Sequence, residues 1–156
     1  MNCVAKIAFC IAAFLVSGQT VRAADARVDI YTGKDLNAMF QALARGDKSF
    51  ASRDLPRFSN HYLMLAQREI TGSSEVHEHE ADIFVVQAGS ATIVTGGTVV
   101  DPKTTKPGEI RGKSINGGER HTLSAGDIIH IPAGVPHQIL VDKAPFNYFV
   151  IKVTGQ

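Results

Sequence analysis

From His61 onward the chain is cut into short strand-textured runs, each stopped by glycine, proline or a Thr/Ser/Asp cluster. The runs fall at 62–69, 75–80, 82–88, 91–95, 120–123, 128–131, 137–141 and 147–153. No helical period runs through them. A succession of short strands with turn signals between them predicts a β-sandwich or barrel. The break at 96–118 is longer, rich in Gly and Pro, and bracketed by Gly96-Gly97 and Gly117-Gly118. Connections of that length are commonly functional. This one is expected to lid the barrel mouth or to add a hairpin to one sheet.

The first 23 residues have a different texture. Lys6 precedes an apolar core over 7–16, and small residues then lead to a Val-x-Ala site ending at Ala23. That pattern is a secretory signal peptide, too short to hold the protein in a bilayer as a stable anchor. Cleavage is expected after Ala23 or after Ala26. The destination is then the periplasm, or secretion. Cys3 and Cys10 leave with the segment, so the mature chain has no cysteine and must rely on its core.

Residues 24–60 are expected to be a lead-in to a barrel over 61–156. Within it, Thr32 and Asp35 form a capping box ahead of Leu36, Met39, Phe40 and Leu43. Those spacings predict one amphipathic helix over 33–45, with Gly46 as its C′ residue and its apolar stripe in the core. Residues 47–59 read as loop.

The chemistry gathers in 77–89. On a strand, alternate side chains share a face, so His77 and His79 would stand roughly 7 Å apart on one side. Two imidazoles aimed alike can converge on one metal ion through neutral ring nitrogens. Asp82 follows, and Phe84 and Val86 share its parity, which predicts an apolar pocket wall. Glu75 shares the parity of His77, whereas Glu78 and Glu80 point to the other face. His130 alternates with the inward Ile129 and Ile131 and is expected to face outward.

Without Lys6 and Arg22 the chain carries 14 basic and 15 acidic residues, and it has no basic run. Nothing in that balance calls for nucleic acid or an anionic membrane as partner. The stretch 108–114 is one residue short of a phosphate loop and opens no helix, so its amides would not face a phosphate. No Gly-x-Ser-x-Gly elbow or dinucleotide-binding glycine turn occurs.

Gly72, then His77-x-His79, Asp82, six residues and Gly89 resemble the first cupin motif, in which a Gly precedes His-x-His, Glu, six residues and Gly. The family separates that Glu from the second His by three or four residues; here only two lie between His79 and Asp82. Gly126, Pro132, Gly134 and His137 keep every spacing of the second cupin motif, with Val141 where the family has Asn. The resemblance implies an all-β, double-stranded β-helix, the cupin or jelly-roll barrel, with one N-terminal amphipathic α-helix. It implies His77, His79 and His137 as metal ligands, with Asp82 either the fourth ligand or a partner of a ligating imidazole, and Glu75 the alternative carboxylate. Such a set suits a divalent transition metal (Fe, Mn, Ni, Cu or Zn) without choosing among them. It also implies a homodimer. Two functions are open: an enzyme of oxygenase, isomerase or lyase type acting on a small molecule, or a non-catalytic module that binds one. Asp82 or Glu75, if uncoordinated, is the candidate general base.

Overall fold

The structure is a computed structural model and describes residues 28–43 and 49–155. The expected signal segment, both cysteines and Gly46 lie outside the described residues. Among the described residues, no helix is long and apolar enough to cross a membrane.

Helix α1 spans Gly33–Leu43. Its capping box forms as the spacing requires: the Asp35 backbone N–H donates to Thr32 Oγ1 at 3.2 Å, and the Thr32 N–H donates to Asp35 Oδ2 at 3.0 Å. Only Phe40 of this helix is fully buried.

Eleven strands follow: β1 Phe50–Arg57, β2 His61–Arg68, β3 Ser74–His77, β4 Glu80–Thr95, β5 Thr98–Val100, β6 Lys103–Lys106, β7 Glu109–Gly112, β8 Ser114–Asn116, β9 Glu119–Ser124, β10 Ile128–Ile131 and β11 His137–Thr154. Nine belong to one curled antiparallel sheet, and β5 and β8 make a small second one. The long strands β4 and β11 pair along most of their lengths. The second half of β11 is flanked by β2 on its other side, and the first half of β4 by β10. The second half of β4 takes β9, while β11 meets β3 where it begins.

The expected runs at 82–88 and 91–95 are one strand, bent at Gly89, whose φ is +77°. The runs at 137–141 and 147–153 are also one, with register shifts between Val141 and Tyr148. Gly89 faces that irregular segment. A Cβ there would meet the backbone carbonyls of Lys143 and Pro145. The glycine therefore allows two long strands to turn together from one part of the sheet into the other.

Two expectations change. Residues 50–57, read as loop, form β1 and pair with β2. The stretch is charged and holds Pro56, as suits an edge strand rather than a central one. The 96–118 excursion is not a free lid. Its β6–β7 hairpin is added to the sheet through β3.

The core lies inside the curl, built on Phe84, Val86, Ala91, Ile93, Ile139, Phe146, Tyr148 and Val150. Phe84 and Val86 face inward as their parity predicts, and His130 is exposed.

Candidate metal centre

Strand register places the site. Glu75 on β3 pairs with Arg111 on β7 and with His137 at the start of β11. His77 pairs with Glu109. Asp82 on β4 pairs with Lys152 on β11. Directly opposed residues send their side chains to the same face, so these pairs meet inside the curl.

Glu75, His77 and His137 are buried and offer ligand atoms all within 4.8 Å of one another. Asp82, 2% exposed, brings Oδ2 to 3.5 Å from both His77 Nε2 and His137 Nε2. The outer nitrogens also have neighbours. His137 Nδ1 lies 3.1 Å from the Val135 carbonyl, the distance of a donated hydrogen bond. His77 Nδ1 has Glu109 Oε2 at 3.8 Å, a charge contact rather than a hydrogen bond. Partners on the outer nitrogen fix the ring and leave the inner lone pair free for a metal.

His79 is elsewhere. β3 ends at His77, and residues 78–79 form an exposed bend, so strand parity no longer relates the two histidines. The His79 ring lies beside Gly108, in a separate cleft at the β6–β7 turn that His77 and Glu109 also line. Counted from the observed cluster, the first motif moves back by two residues. Glu75-x-His77, four residues, Asp82, six residues and Gly89 match the spacing of the resembled motif from its first histidine onward, with Glu in that histidine's place and Gly72 no longer in register. The hairpin that looked short for Asp82 is of ordinary length in this register.

Glu75, His77 and Asp82 line a cavity of about 260 Å³. Five basic side chains line it, Arg57, Arg68, Lys106, Arg111 and Lys152, along with five acidic ones, Asp54, Glu75, Glu80, Asp82 and Glu109. Arg111 reaches Glu75 at 2.7 Å and Glu109 at 2.8 Å. Arg68 donates to the Tyr148 hydroxyl at 3.0 Å and lies 3.7 Å from Glu75. Lys152 Nζ is 2.6 Å from Asp82 Oδ1, in a charge contact rather than a well-directed hydrogen bond. Arg68, Glu109, Arg111 and Lys152 were not singled out from the sequence. For Lys152 a signal existed: it shares the parity of the inward Tyr148 and Val150. For Glu109 and Arg111 the register of the hairpin was needed.

Burial sets the protonation. Desolvation, helped by the Lys152 charge, drives His77 down to about 4, so its ring is neutral at pH 7. Burial pushes Asp82 up against the opposing pull of Lys152 and His137. Glu75 is pushed up by burial but held below its usual range by His137, Arg111 and His77. Glu109 is likewise opposed by burial, yet Arg111 and Lys106 bring it to about 2. A neutral buried His77 refuses a proton that an unfolded histidine takes near 6.5. Metal-free protein should therefore lose stability as pH falls from 6.5 towards 4, on the order of 3 kcal/mol from this group. Glu109 adds a loss below 4.5 of the same sign, whereas Asp82, whose pKa burial raises, opposes both where it takes up its proton. Urea unfolding at steps from pH 7 to 4 reads this; a flat profile contradicts it.

A divalent cation fits these donors. His137 Nε2 is buried and has no hydrogen-bond partner among the described residues, although it faces Glu75 at 3.6 Å and Asp82. An orphaned acceptor between carboxylates suits a cation.

No protein-family model matches the chain, and no curated protein does. Solved structures match it by shape. KdgF from Halomonas sp. does so with a TM-score of 0.52 at 12% identity, over 70% of this chain and 84% of that one. A cupin superfamily protein from Desulfitobacterium hafniense DCB-2 matches at 0.50 and 17% identity, over 70% and 81%. A protein described as a predicted oxalate decarboxylase, from Thermotoga maritima, matches at 0.50 and 12%, over 67% and 80%. Identities this low speak for the fold alone. With the curled antiparallel sheet and the single short helix among the described residues, they make this chain an all-β protein of the cupin fold.

Proposed function

We propose that the protein is an exported, metal-dependent enzyme acting on a small organic molecule in the barrel cavity, with Glu75, His77, His137 and Asp82 holding the metal. The observation that carries this reading is the convergence of two imidazole nitrogens and two buried carboxylates, three of the four residues lining the cavity. Fe, Mn, Ni, Cu and Zn all suit that donor set. When bound, the metal would supply a Lewis acid able to polarise a substrate oxygen or to lower the pKa of water.

The chain's own residues do the rest. The Val135 carbonyl orients His137, and Glu109 stands behind His77. Arg111 holds both Glu75 and Glu109, which ties the metal-facing strand β3 to the hairpin. Phe84 and Val150 give the cavity an apolar wall that limits water. With Glu75 and Asp82 both assigned to the metal, His79 and the rim acid Glu80 are left outside the ligand set.

Export is supported by the first 23 residues alone. A homodimer belongs to the same reading, and sedimentation of the mature chain tests it. The binding-module alternative keeps the same metal centre but has no turnover.

Metal analysis of protein purified from the export compartment is the test. We expect about one divalent transition metal per chain, with at least a tenfold loss of metal affinity in His77→Ala and Glu75→Gln, and little change in His79→Ala. Loss of metal in His79→Ala alone would refute this ligand set. Turnover across a panel of phenols, keto acids and sugars separates enzyme from binder, and binding without turnover would favour the module.

A further inference from the structure

One row of side chains crosses the sheet at right angles to the strands. Arg57 on β1 pairs with Tyr62 on β2, Tyr62 pairs with Lys152 on β11, and Lys152 pairs with Asp82 on β4. All four line the cavity. Strands lie about 4.8 Å apart, so the row sets Arg57 roughly 10 Å from Lys152, with Tyr62 between them.

The two cations at this spacing are unlike the others in the cavity. Arg111 and Arg68 are engaged by Glu75, Glu109 and Tyr148, and Lys106 by Glu109. Lys152 is 7% exposed, and its ammonium meets only Asp82 Oδ1 among the described residues. An ammonium has three donors, so donors remain to face the cavity. Arg57, exposed at the mouth, stacks over the Tyr62 ring with its guanidinium 3.7 Å from the centroid. No carboxylate forms an ion pair with it among the described residues.

We propose that this row is a binding site for a small dicarboxylate, with Lys152 anchoring one carboxylate beside the metal and Arg57 taking the other at the mouth. The inference rests on the metal centre proposed above. Charge balance points the same way. Five basic and five acidic side chains line the cavity and balance one another, so a divalent ion leaves a surplus of two positive charges. A dianion neutralises that surplus where water is scarce and the attraction is strong. Metal and dicarboxylate then bind cooperatively, and the coupling is reciprocal. Lys152, standing beside the metal through Asp82, weakens metal binding when no anion is present.

Titration calorimetry of the mature protein with Mn²⁺, alone and in saturating dicarboxylates from oxalate to glutarate, tests the proposal. We expect at least one chain length to tighten Mn²⁺ binding about tenfold, although chelation in solution works the other way. The monoamide of that acid should bind at least tenfold more weakly. Lys152→Met should bind Mn²⁺ alone at least as tightly as wild type and lose most of the coupling, and Lys152→Arg should keep it. Arg57→Gln should lose the preference for two carboxylates over one while keeping the affinity for acetate. The Lys152→Arg and Arg57→Gln results decide the matter if Lys152→Met does not fold. Dicarboxylate affinity within twofold of wild type in Lys152→Met, or equal binding of the monoamide, overturns the proposal. If Mn²⁺ binds and is lost in His77→Ala but no dicarboxylate binds, this inference fails and the metal centre stands. If no metal binds at all, the metal centre itself is wrong.

Discussion

Replacing Asp82 by alanine should destabilise the protein by about 3–5 kcal/mol, far more than the loss of a surface carboxylate. The reason lies across the strand. Lys152 is 7% exposed and has its ammonium 2.6 Å from Asp82 Oδ1, so the substitution leaves a buried cation with no opposite charge in contact. A second change, Lys152→Met in the same chain, should recover most of the loss, because the methionine removes the stranded charge and fills a similar volume. Urea unfolding of the two single variants and the double variant measures the coupling. Losses that simply add would mean that the pair contributes nothing as a pair. The double variant should also bind metal weakly, since it lacks a proposed ligand, and this separates stability from site chemistry.

Gly89→Ala should cost about 3 kcal/mol or more, in a residue that touches no proposed ligand. Two effects add. A φ of +77° is unfavourable for any residue with a Cβ. The new methyl group would also be driven against the carbonyls of Lys143 and Pro145, which are backbone atoms and cannot swing aside. The bend in β4 and the irregular stretch of β11 would have to move together. Because Asp82 and Lys152 sit on those same strands, metal affinity should fall along with the unfolding midpoint. Thermal unfolding with and without Mn²⁺ tests both parts, and a variant as stable as wild type would show that the bend does not depend on glycine.

The fold was legible because strand runs and turn residues punctuate the chain from His61 onward. What blurred was continuity. Gly89 and the segment around Pro145 look like strand ends, yet the chain bends there and keeps pairing. β1 was hidden by Arg53, Asp54 and Pro56, residues that an edge tolerates and a central strand does not. Of the side chains gathered at the candidate site, His77, His137 and Asp82 stand out in the sequence by motif and parity. His79 was placed with them on the assumption that the strand continued, and β3 stops two residues short of it. Lys152 was passed over for a different reason. A lone lysine near the end of a strand is normally solvated, and only the register opposite Asp82 shows what it faces.

Two of the sheet's outer strands also bear on how the protein behaves at high concentration. At one end β6 is exposed throughout and carries Lys103 and Lys106; at the other, β1 carries Arg53, Arg57 and Pro56. An unpaired strand invites a neighbour to extend the sheet, and lysines or proline along it make that extension costly. A chain so rich in strands, with no cysteine beyond Cys3 and Cys10, is thereby guarded against stacking into fibrils at these two margins.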